Sequence, residues 1–259
     1  TSPEQILADN LLRQEELREG QMLRVPVPIA MADPNSTGIL PRAFNPAEQM
    51  KREVWRGIRG RKQIALTFDS GGDADAAGDL LNNLQRTGAR ATFFSTGQFA
   101  KRFPDVVTSI TLHEYRIHNH SWSHPEFTKL STDAMGDELD RAERTIFEIC
   151  GQRTPPYWRP PYGDRNNRVL STAAAAGYQS IYWTVDSLDA FGPEKSVEFL
   201  LSMVLNPKKA KGDPDHYLDG AIVLMHIGLP STAHAIPPMV AELKKRGFKL
   251  VTLEELLDP

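Results

Sequence analysis

The chain of 259 residues has a single cysteine, Cys150. One thiol excludes an internal disulfide and any zinc site built from several cysteines. No apolar run approaches the ~20 residues that a membrane-spanning helix needs, so we expect no membrane insertion. The formal net charge is only −3, and no basic field predicts binding to nucleic acid. The low net charge favours a substrate that is neutral or small rather than polyanionic.

The first 53 residues differ in pattern from the rest of the chain. Residues 1–20 are polar and acidic, which is not the pattern of a signal peptide. Residues 3–19 have the apolar spacing of an amphipathic helix, and residues 24–46 are rich in proline. We therefore predict an N-terminal extension over residues 1–53 and one catalytic domain over residues 54–259.

In that domain, apolar runs typical of strands alternate with segments of helical spacing. Alternation of this kind predicts a parallel sheet, either a barrel or a doubly wound layer. Polar residues that can carry chemistry come at the ends of several different runs, which favours the mouth of a barrel. We expect strands at 64–68, 91–95, 179–185, 221–225 and 249–252, and helices at 74–86, 131–151, 168–176, 197–205 and 235–246.

Four short segments contain residues suited to hydrolysis. A carboxylate ends an apolar run, two histidines lie four residues apart, an arginine precedes a Pro-Pro turn, and a further histidine ends another run. This set provides a candidate base, a metal-binding pair, an orienting cation and an acid. The segments are Thr67–Gly72, Asn119–Pro125, Arg159–Gly163 and Leu224–His226.

Each segment alone has a plainer explanation. An isolated pair such as His120 and His124 is more often two exposed loop residues than a metal site. Asp69 could be a base, a metal ligand or a helix cap, and Arg159 could belong to a structural ion pair. His226 alone is more often a core residue than an acid. Their occurrence in one chain, in this order, favours the functional interpretation.

With a Val-Asp-x-x-Asp segment at 185–189, these motifs resemble those of the polysaccharide deacetylase family, carbohydrate esterase family 4 or the NodB-homology domain. The resemblance covers roughly residues 54–259. It implies an α/β fold, a distorted (β/α) barrel of the NodB-homology type. It also implies metal-assisted hydrolysis of the N-acetyl group of N-acetylglucosamine-containing polysaccharide, peptidoglycan or chitin-like.

The resemblance also implies a role for each matching residue. Asp69 would be the general base, oriented by Arg159, and His226 the general acid, supported by Asp189. His120 and His124 would bind a divalent metal, zinc or an ion such as cobalt. The backbone N–H of Tyr162 would stabilise the oxyanion, and Leu224 would contact the acetyl methyl group. Pro161 belongs to the same turn, and Trp158 and Tyr162 are candidates for stacking on a sugar ring.

Two positions depart from the family pattern. Ser70 stands where a second aspartate usually supplies the anionic metal ligand, so we expect weakened metal binding. Ser70 itself and Asp73 remain candidates for the third ligand, although an aspartate at 73 more often caps the following helix. Ala190 stands where a tryptophan is common, which removes an aromatic wall near the acid.

These departures keep two other functions open. The barrel could hydrolyse a non-sugar C–N bond, or it could bind glycans without catalysis. A glycan substrate at the cell envelope implies an exported protein, in the periplasm or outside the cell. The sequence leaves the oligomeric state undetermined.

Overall fold

The computed structural model describes residues 50–258. Most of the predicted N-terminal extension, including the helix at 3–19 and the proline-rich segment, lies outside the described residues. The domain boundary at residue 54 therefore stays a prediction. No helix in the described part of the chain is both long enough and apolar enough to cross a bilayer.

Strands and helices alternate along the described chain. The strands are β1 (Gln63–Ser70), β2 (Ala91–Ser95), β3 (Arg116–Asn119), β4 (Tyr157–Trp158), β5 (Gln179–Ser180), β6 (Val185–Asp186), β7 (Ala221–His226) and β8 (Lys249–Leu250). The helices are α1 (Ala77–Thr87), α2 (Gly97–Arg102), α3 (Pro104–Leu112), α4 (Thr132–Cys150), α5 (Asn167–Ala175), α6 (Val197–Leu205), α7 (Pro214–Leu218), α8 (Pro230–Lys245) and α9 (Leu253–Leu257).

All named strands pair in parallel, in the order β5-β4-β3-β2-β1-β7-β6, and β8 pairs with the start of β1. The sheet curls into a half-barrel with helices packed against it, which confirms the predicted α/β fold, a distorted barrel of the NodB-homology type. Because parallel strands share one direction, their carboxyl ends meet at one mouth of the barrel.

Side-chain alternation along β1 divides the core into two layers. Leu66 and Phe68 belong to the large cluster shared with the helices, whereas Ala65 belongs to a smaller cluster with Phe94 of β2 and Leu253 of α9. A strand with apolar residues on both faces is typical of a buried parallel sheet. The smaller cluster places α9 against the strand residues inside the barrel.

Local signals position the helices as the sequence predicts. The hydroxyl of Ser131 accepts a hydrogen bond from the backbone N–H of Ala134 at 3.2 Å and caps the start of α4. Gly151 ends the helix with a φ of 71°, a left-handed conformation that glycine adopts without strain. Leu139, Ala142 and Ile146 of α4 are fully buried, as their spacing predicts.

The prediction of one continuous strand at 179–185 is wrong. The chain forms β5 and β6 there, at opposite ends of the strand order, and residues 181–184 pass between them. In that connection Tyr182 stacks on Trp183 with their ring centroids 3.8 Å apart. Aromatic and β-branched residues favour a strand locally, but the segment links the two edges of the sheet instead. The strand predicted at 249–252 is also shorter than expected. Strand β8 ends at Leu250, because Thr252 caps α9.

Candidate active site

The predicted catalytic residues meet at the mouth of the barrel. Asp69 near the end of β1 lies in register with His226 at the end of β7. His120 directly follows β3, and Arg159 directly follows β4. A cavity of about 600 Å³ opens between these strand ends, lined among others by Asp69, His120, His124, Leu224 and His226.

Asp69 is held by a buried arginine. One guanidinium nitrogen of Arg159 donates to Oδ1 of Asp69 at 2.6 Å, and the other donates to the hydroxyl of Thr67 at 2.9 Å. The Thr67 hydroxyl in turn donates to the carbonyl of Val223 at 2.6 Å. Arg159 is fully buried and Asp69 only 5% exposed. The planar guanidinium therefore fixes the carboxylate in one orientation, as expected for a positioned base.

The two histidines of the H-x-x-x-H motif face each other. Their Nε2 atoms are 3.1 Å apart, and Nε2 of His120 is 3.5 Å from Oδ2 of Asp69. Nδ1 of His120 lies 2.8 Å from the carbonyl oxygen of Arg159. Because a carbonyl only accepts, Nδ1 carries the proton, and in the neutral ring the lone pair on Nε2 points into the cavity.

Both imidazoles are held in the neutral form. Burial lowers the pKa of His120 below its usual value. Burial, followed by electrostatic repulsion between the two rings when both are protonated, lowers the pKa of His124 to about 3. Neutral imidazole is the form that binds a metal ion, and ligating histidines commonly donate their second ring nitrogen to a carbonyl. The pair therefore fits two ligand positions of a divalent cation.

The third ligand is missing from this arrangement. The Ser70 hydroxyl donates to the carbonyl of Phe94 at 3.2 Å, and Ser70 is fully buried and does not line the cavity. The Asp73 carboxylate pairs with Arg102 at 3.3 Å, and Asp73 does not cap α1. Within residues 50–258, no group of three His, Cys, Asp or Glu side chains is arranged to hold a metal ion.

His226 is bound to Asp189 from two directions. Nδ1 of His226 is 2.7 Å from Oδ1 of Asp189, and the backbone N–H of His226 donates to Oδ2 at 2.8 Å. The hydroxyl of Thr232 donates to the same Oδ2 at 2.8 Å. Burial lowers the pKa of His226, but the hydrogen bond and charge of Asp189 outweigh it, so the pKa lies above its usual value. His226 is therefore suited to carry a proton.

The Pro-Pro turn places Tyr162 at the cavity. Tyr162 has a φ of 58° and is 69% exposed, and its ring contacts that of His124 with centroids 4.4 Å apart. Leu224 also lines the cavity. The proline that lines it is Pro160, whereas Pro161, the predicted substrate contact, is buried and is not part of the lining.

The stacking role predicted for Trp158 is wrong. Trp158 is fully buried and packs on Phe127 with ring centroids 4.8 Å apart, in a cluster that includes Met135 of α4. Side chains alternate along a strand, so Trp158 points into the core while its neighbour Arg159 reaches Asp69. A sugar ring cannot contact Trp158 in this arrangement.

Several side chains of the site have roles that the motifs do not indicate. Thr67 and Thr232 anchor Arg159 and Asp189, and Trp183 and Phe191 line the cavity. The alternation of β1 could have indicated Thr67, which lies two residues before Asp69 on the same face. No local signal indicates Thr232, because it lies on α8, 43 residues after Asp189.

The comparisons with known proteins agree with this geometry. The family model for polysaccharide deacetylase matches residues 56–181. The peptidoglycan-N-acetylmuramic acid deacetylase PdaA of Bacillus subtilis is 31% identical over 78% of this chain and 73% of its own length. The chitooligosaccharide deacetylase of Bradyrhizobium sp. (strain ANU 289) is 29% identical over 79% of this chain and 95% of its own length.

The solved structure of a pseudoenzyme is also similar to this chain. A family 4 carbohydrate esterase pseudoenzyme from Bacillus anthracis matches with a TM-score of 0.73 and 29% identity, over 80% of this chain and 69% of that one. A mutant of the same pseudoenzyme with restored enzymatic activity matches equally well, with a TM-score of 0.73. These matches and the geometry of the site confirm the resemblance noted in the motifs. The chain belongs to the polysaccharide deacetylase family, whose enzymes are hydrolases of N-acetyl amide bonds.

Proposed function

We propose that this chain removes the acetyl group from N-acetylglucosamine units of a peptidoglycan-like or chitin-like polysaccharide by hydrolysis. One observation carries the proposal. Asp69, held by Arg159, and His226, held by Asp189, lie in register on neighbouring strands and face the same cavity. Amide hydrolysis needs both a base for the water and an acid for the amine, and this cavity offers one of each.

The chain's own residues divide the proton transfers between them. The Asp69 carboxylate accepts the proton of the attacking water, and Arg159 keeps its second oxygen turned toward His120. His226 donates the proton from Nε2 to the leaving nitrogen, because its Nδ1 is bound to Asp189. An amine leaves only after it is protonated, and an acid of this kind contributes about 10²–10⁴-fold.

The remaining residues bind the substrate and a cation. The backbone N–H of Tyr162 stabilises the oxyanion, and Leu224 contacts the acetyl methyl group. His120 and His124 would hold a divalent cation, zinc or cobalt, without a contribution from Ser70 or Asp73. Such a cation would supply a nucleophile at neutral pH by lowering the pKa of water from 15.7 to about 7.

The substrate class follows from the relatives. The similar enzymes named above act on peptidoglycan and on chitooligosaccharide, both of which are N-acetylated glycans. Peptidoglycan lies outside the cytoplasmic membrane, so the proposal includes export of the protein.

Ser70 favours one competing function, a glycan-binding module without catalysis. The hydroxyl at this position is neutral and bound to a backbone carbonyl, so nothing in the described site replaces a third anionic ligand. A pseudoenzyme is also among the similar structures. This function predicts saccharide binding without acetate release at any metal concentration.

Acetate release tests the proposal directly. The protein is treated with a chelator, and acetate is measured with N-acetylated chito-oligosaccharides and with peptidoglycan before and after zinc or cobalt is added. We expect release that the metal restores and that Asp69→Asn and His226→Ala each abolish. His234→Ala, an exposed histidine on α8, is the control and retains activity. Turnover in either of the first two variants contradicts the role assigned to that residue.

A further inference from the structure

Phe191 is a largely exposed apolar side chain at the candidate site. It is 76% exposed, although a phenylalanine of a folded domain is usually buried. Its ring lines the same cavity as Asp69 and His226. Tyr162, which is 69% exposed, lines this cavity from the loop after β4, whereas Phe191 comes from the loop after β6. Strands β4 and β6 lie on different sides of β1 in the sheet.

A strained turn presents Phe191 to the cavity. Leu188 has a φ of 58°, which is unusual for a bulky side chain. The backbone N–H of Leu188 donates to Oδ1 of Asp186 at 2.8 Å, and the N–H of Phe191 donates to the carbonyl of Leu188 at 3.2 Å. Strain of this kind persists only where the surroundings impose it, and it is concentrated at functional sites. The exposure of Phe191 is therefore built into the turn.

The turn also carries a small residue next to Phe191. Ala190, the neighbour of Phe191, offers only a methyl group and borders both the main cavity and a second one of about 390 Å³. The two cavities share Asp69, Gly71, Gly72, Ala190 and His226 in their linings. A third cavity of about 350 Å³ shares Trp183, Asp186 and Leu188 with the main one. Both smaller cavities therefore border the main one.

A sugar ring is the ligand that fits this surface. Carbohydrate-binding surfaces must offer an apolar face to the C–H groups of the ring, and an exposed aromatic side chain with polar neighbours does so. The main cavity of about 600 Å³, which Phe191 lines, has more space than one acetamido group needs. A polymer would place its next ring there.

We propose that Phe191 is the stacking surface for the sugar ring next to the one that carries the acetamido group. This inference rests on the proposed function, since it concerns the same substrate. Phe191 then determines the preference of the site for oligosaccharides over single sugars. It takes no part in proton transfer, so its effect falls on substrate binding and KM rather than on kcat.

Binding measurements test this without requiring turnover. Calorimetric titration of the zinc-loaded protein with N-acetylated chitotetraose and with N-acetylglucosamine compares wild type, Phe191→Ala and Phe191→Tyr. We expect Phe191→Ala to weaken tetrasaccharide binding about tenfold, to leave monosaccharide binding unchanged, and Phe191→Tyr to retain wild-type affinity. Phe147→Ala, a 45% exposed phenylalanine on α4 outside the cavity, is the matched control. The circular dichroism spectrum of each variant verifies its fold.

The possible outcomes separate this inference from the proposed function. Tetrasaccharide binding that depends on Phe191, without acetate release, supports the stacking surface and contradicts hydrolysis. Acetate release with equal tetrasaccharide affinity in wild type and Phe191→Ala overturns the stacking surface and leaves hydrolysis intact. Failure of wild type to bind the tetrasaccharide more tightly than the monosaccharide also overturns it. Where turnover is measurable, a raised KM with unchanged kcat in Phe191→Ala is the expected kinetic result.

Discussion

Asp189 binds His226 through both carboxylate oxygens, one at the ring Nδ1 and one at the backbone N–H, at 2.7 and 2.8 Å. The first contact stabilises the charged imidazolium, and the second fixes the backbone from which the ring projects. Asp189 is itself only 2% exposed. Removing its charge therefore acts on His226, the proposed acid, without emptying the cavity.

We predict that Asp189→Asn moves the alkaline limb of the pH–activity profile to lower pH. The raised pKa of His226 keeps the ring protonated at higher pH than usual, and activity falls as pH rises through that pKa. Without the Asp189 charge, burial dominates and the pKa falls. We expect a loss of activity of about 10²-fold or more at alkaline pH. Glu194→Gln, an exposed carboxylate nearby, leaves the limb in place. An unchanged limb in Asp189→Asn contradicts the assignment.

We predict that Ser70→Asp increases metal affinity. A carboxylate cannot keep the contact that the Ser70 hydroxyl makes with the carbonyl of Phe94, since both groups only accept hydrogen bonds. It is then free to supply the anionic ligand beside His120 and His124, and affinity for a divalent cation rises about tenfold or more with added ligand charge. Isothermal titration with zinc measures the change.

The stability of the same variant gives a second measurement. A carboxylate at a fully buried position destabilises the metal-free protein. Added zinc should therefore raise the melting temperature of Ser70→Asp more than that of wild type. Ser70→Ala, which only removes the hydroxyl, is the control. Equal zinc affinity in all three proteins shows that position 70 cannot reach the metal.

We predict that Arg159→Met destabilises the fold by about 3–5 kcal/mol, because it leaves the buried Asp69 carboxylate without its partner. Arg159→Lys keeps a positive charge but cannot bond Asp69 and Thr67 together, so we expect a smaller loss of stability with a large loss of activity. Urea unfolding at pH 7 measures the stability of both variants, and acetate release measures their activity. Arg102→Met removes an ion pair in which both side chains are about two-thirds exposed, and its expected effect is about 0–1 kcal/mol. Equal effects in the two methionine variants refute the prediction.

We predict that Glu254→Gln destabilises the protein in a pH-dependent way. Burial raises the pKa of Glu254, but the hydrogen bond from His118 at 2.7 Å and the charge of His118 outweigh it and lower the pKa to about 2. A carboxylate with a lowered pKa in the folded state stabilises above its unfolded pKa of about 4.3. That contribution disappears as pH falls toward 2.

The free energy of unfolding of Glu254→Gln and wild type should therefore differ most above pH 5 and converge below pH 3. Urea unfolding across this range measures the difference. Glu148→Gln, an exposed glutamate on α4, is the control. A difference that does not change with pH argues against the lowered pKa of Glu254.

The sequence predicts long elements and strand-end chemistry better than it predicts short strands. The helix at 131–151 has a cap, a regular apolar spacing and a terminal glycine, and all three are confirmed. Strand β4 has only two residues, too few for a period of two to be recognised. It nevertheless determines the site, since it turns Trp158 into the core and Arg159 toward Asp69.

The residues of the site also differ in how well the sequence predicts them. The residues proposed as acid and base, and the histidine pair, come from motifs and meet as expected, because parallel strands bring their carboxyl ends together. The role of the turn after Asp186 was not predictable. The left-handed Leu188 and the exposed ring of Phe191 depend on how the turn is anchored, and neither leaves a local pattern in the sequence.

The placement of β8 and α9 has a consequence for synthesis. Strand β8 pairs with the start of β1, the first strand of the described chain, and α9 contributes Leu253 and Leu256 to the interior of the barrel. Both contacts join residues about 185 positions apart, and contacts of such long range form slowly. On the ribosome, these two contacts cannot form until Leu256 has emerged. During that interval the nascent chain exposes its inner apolar surface and depends on protection from aggregation.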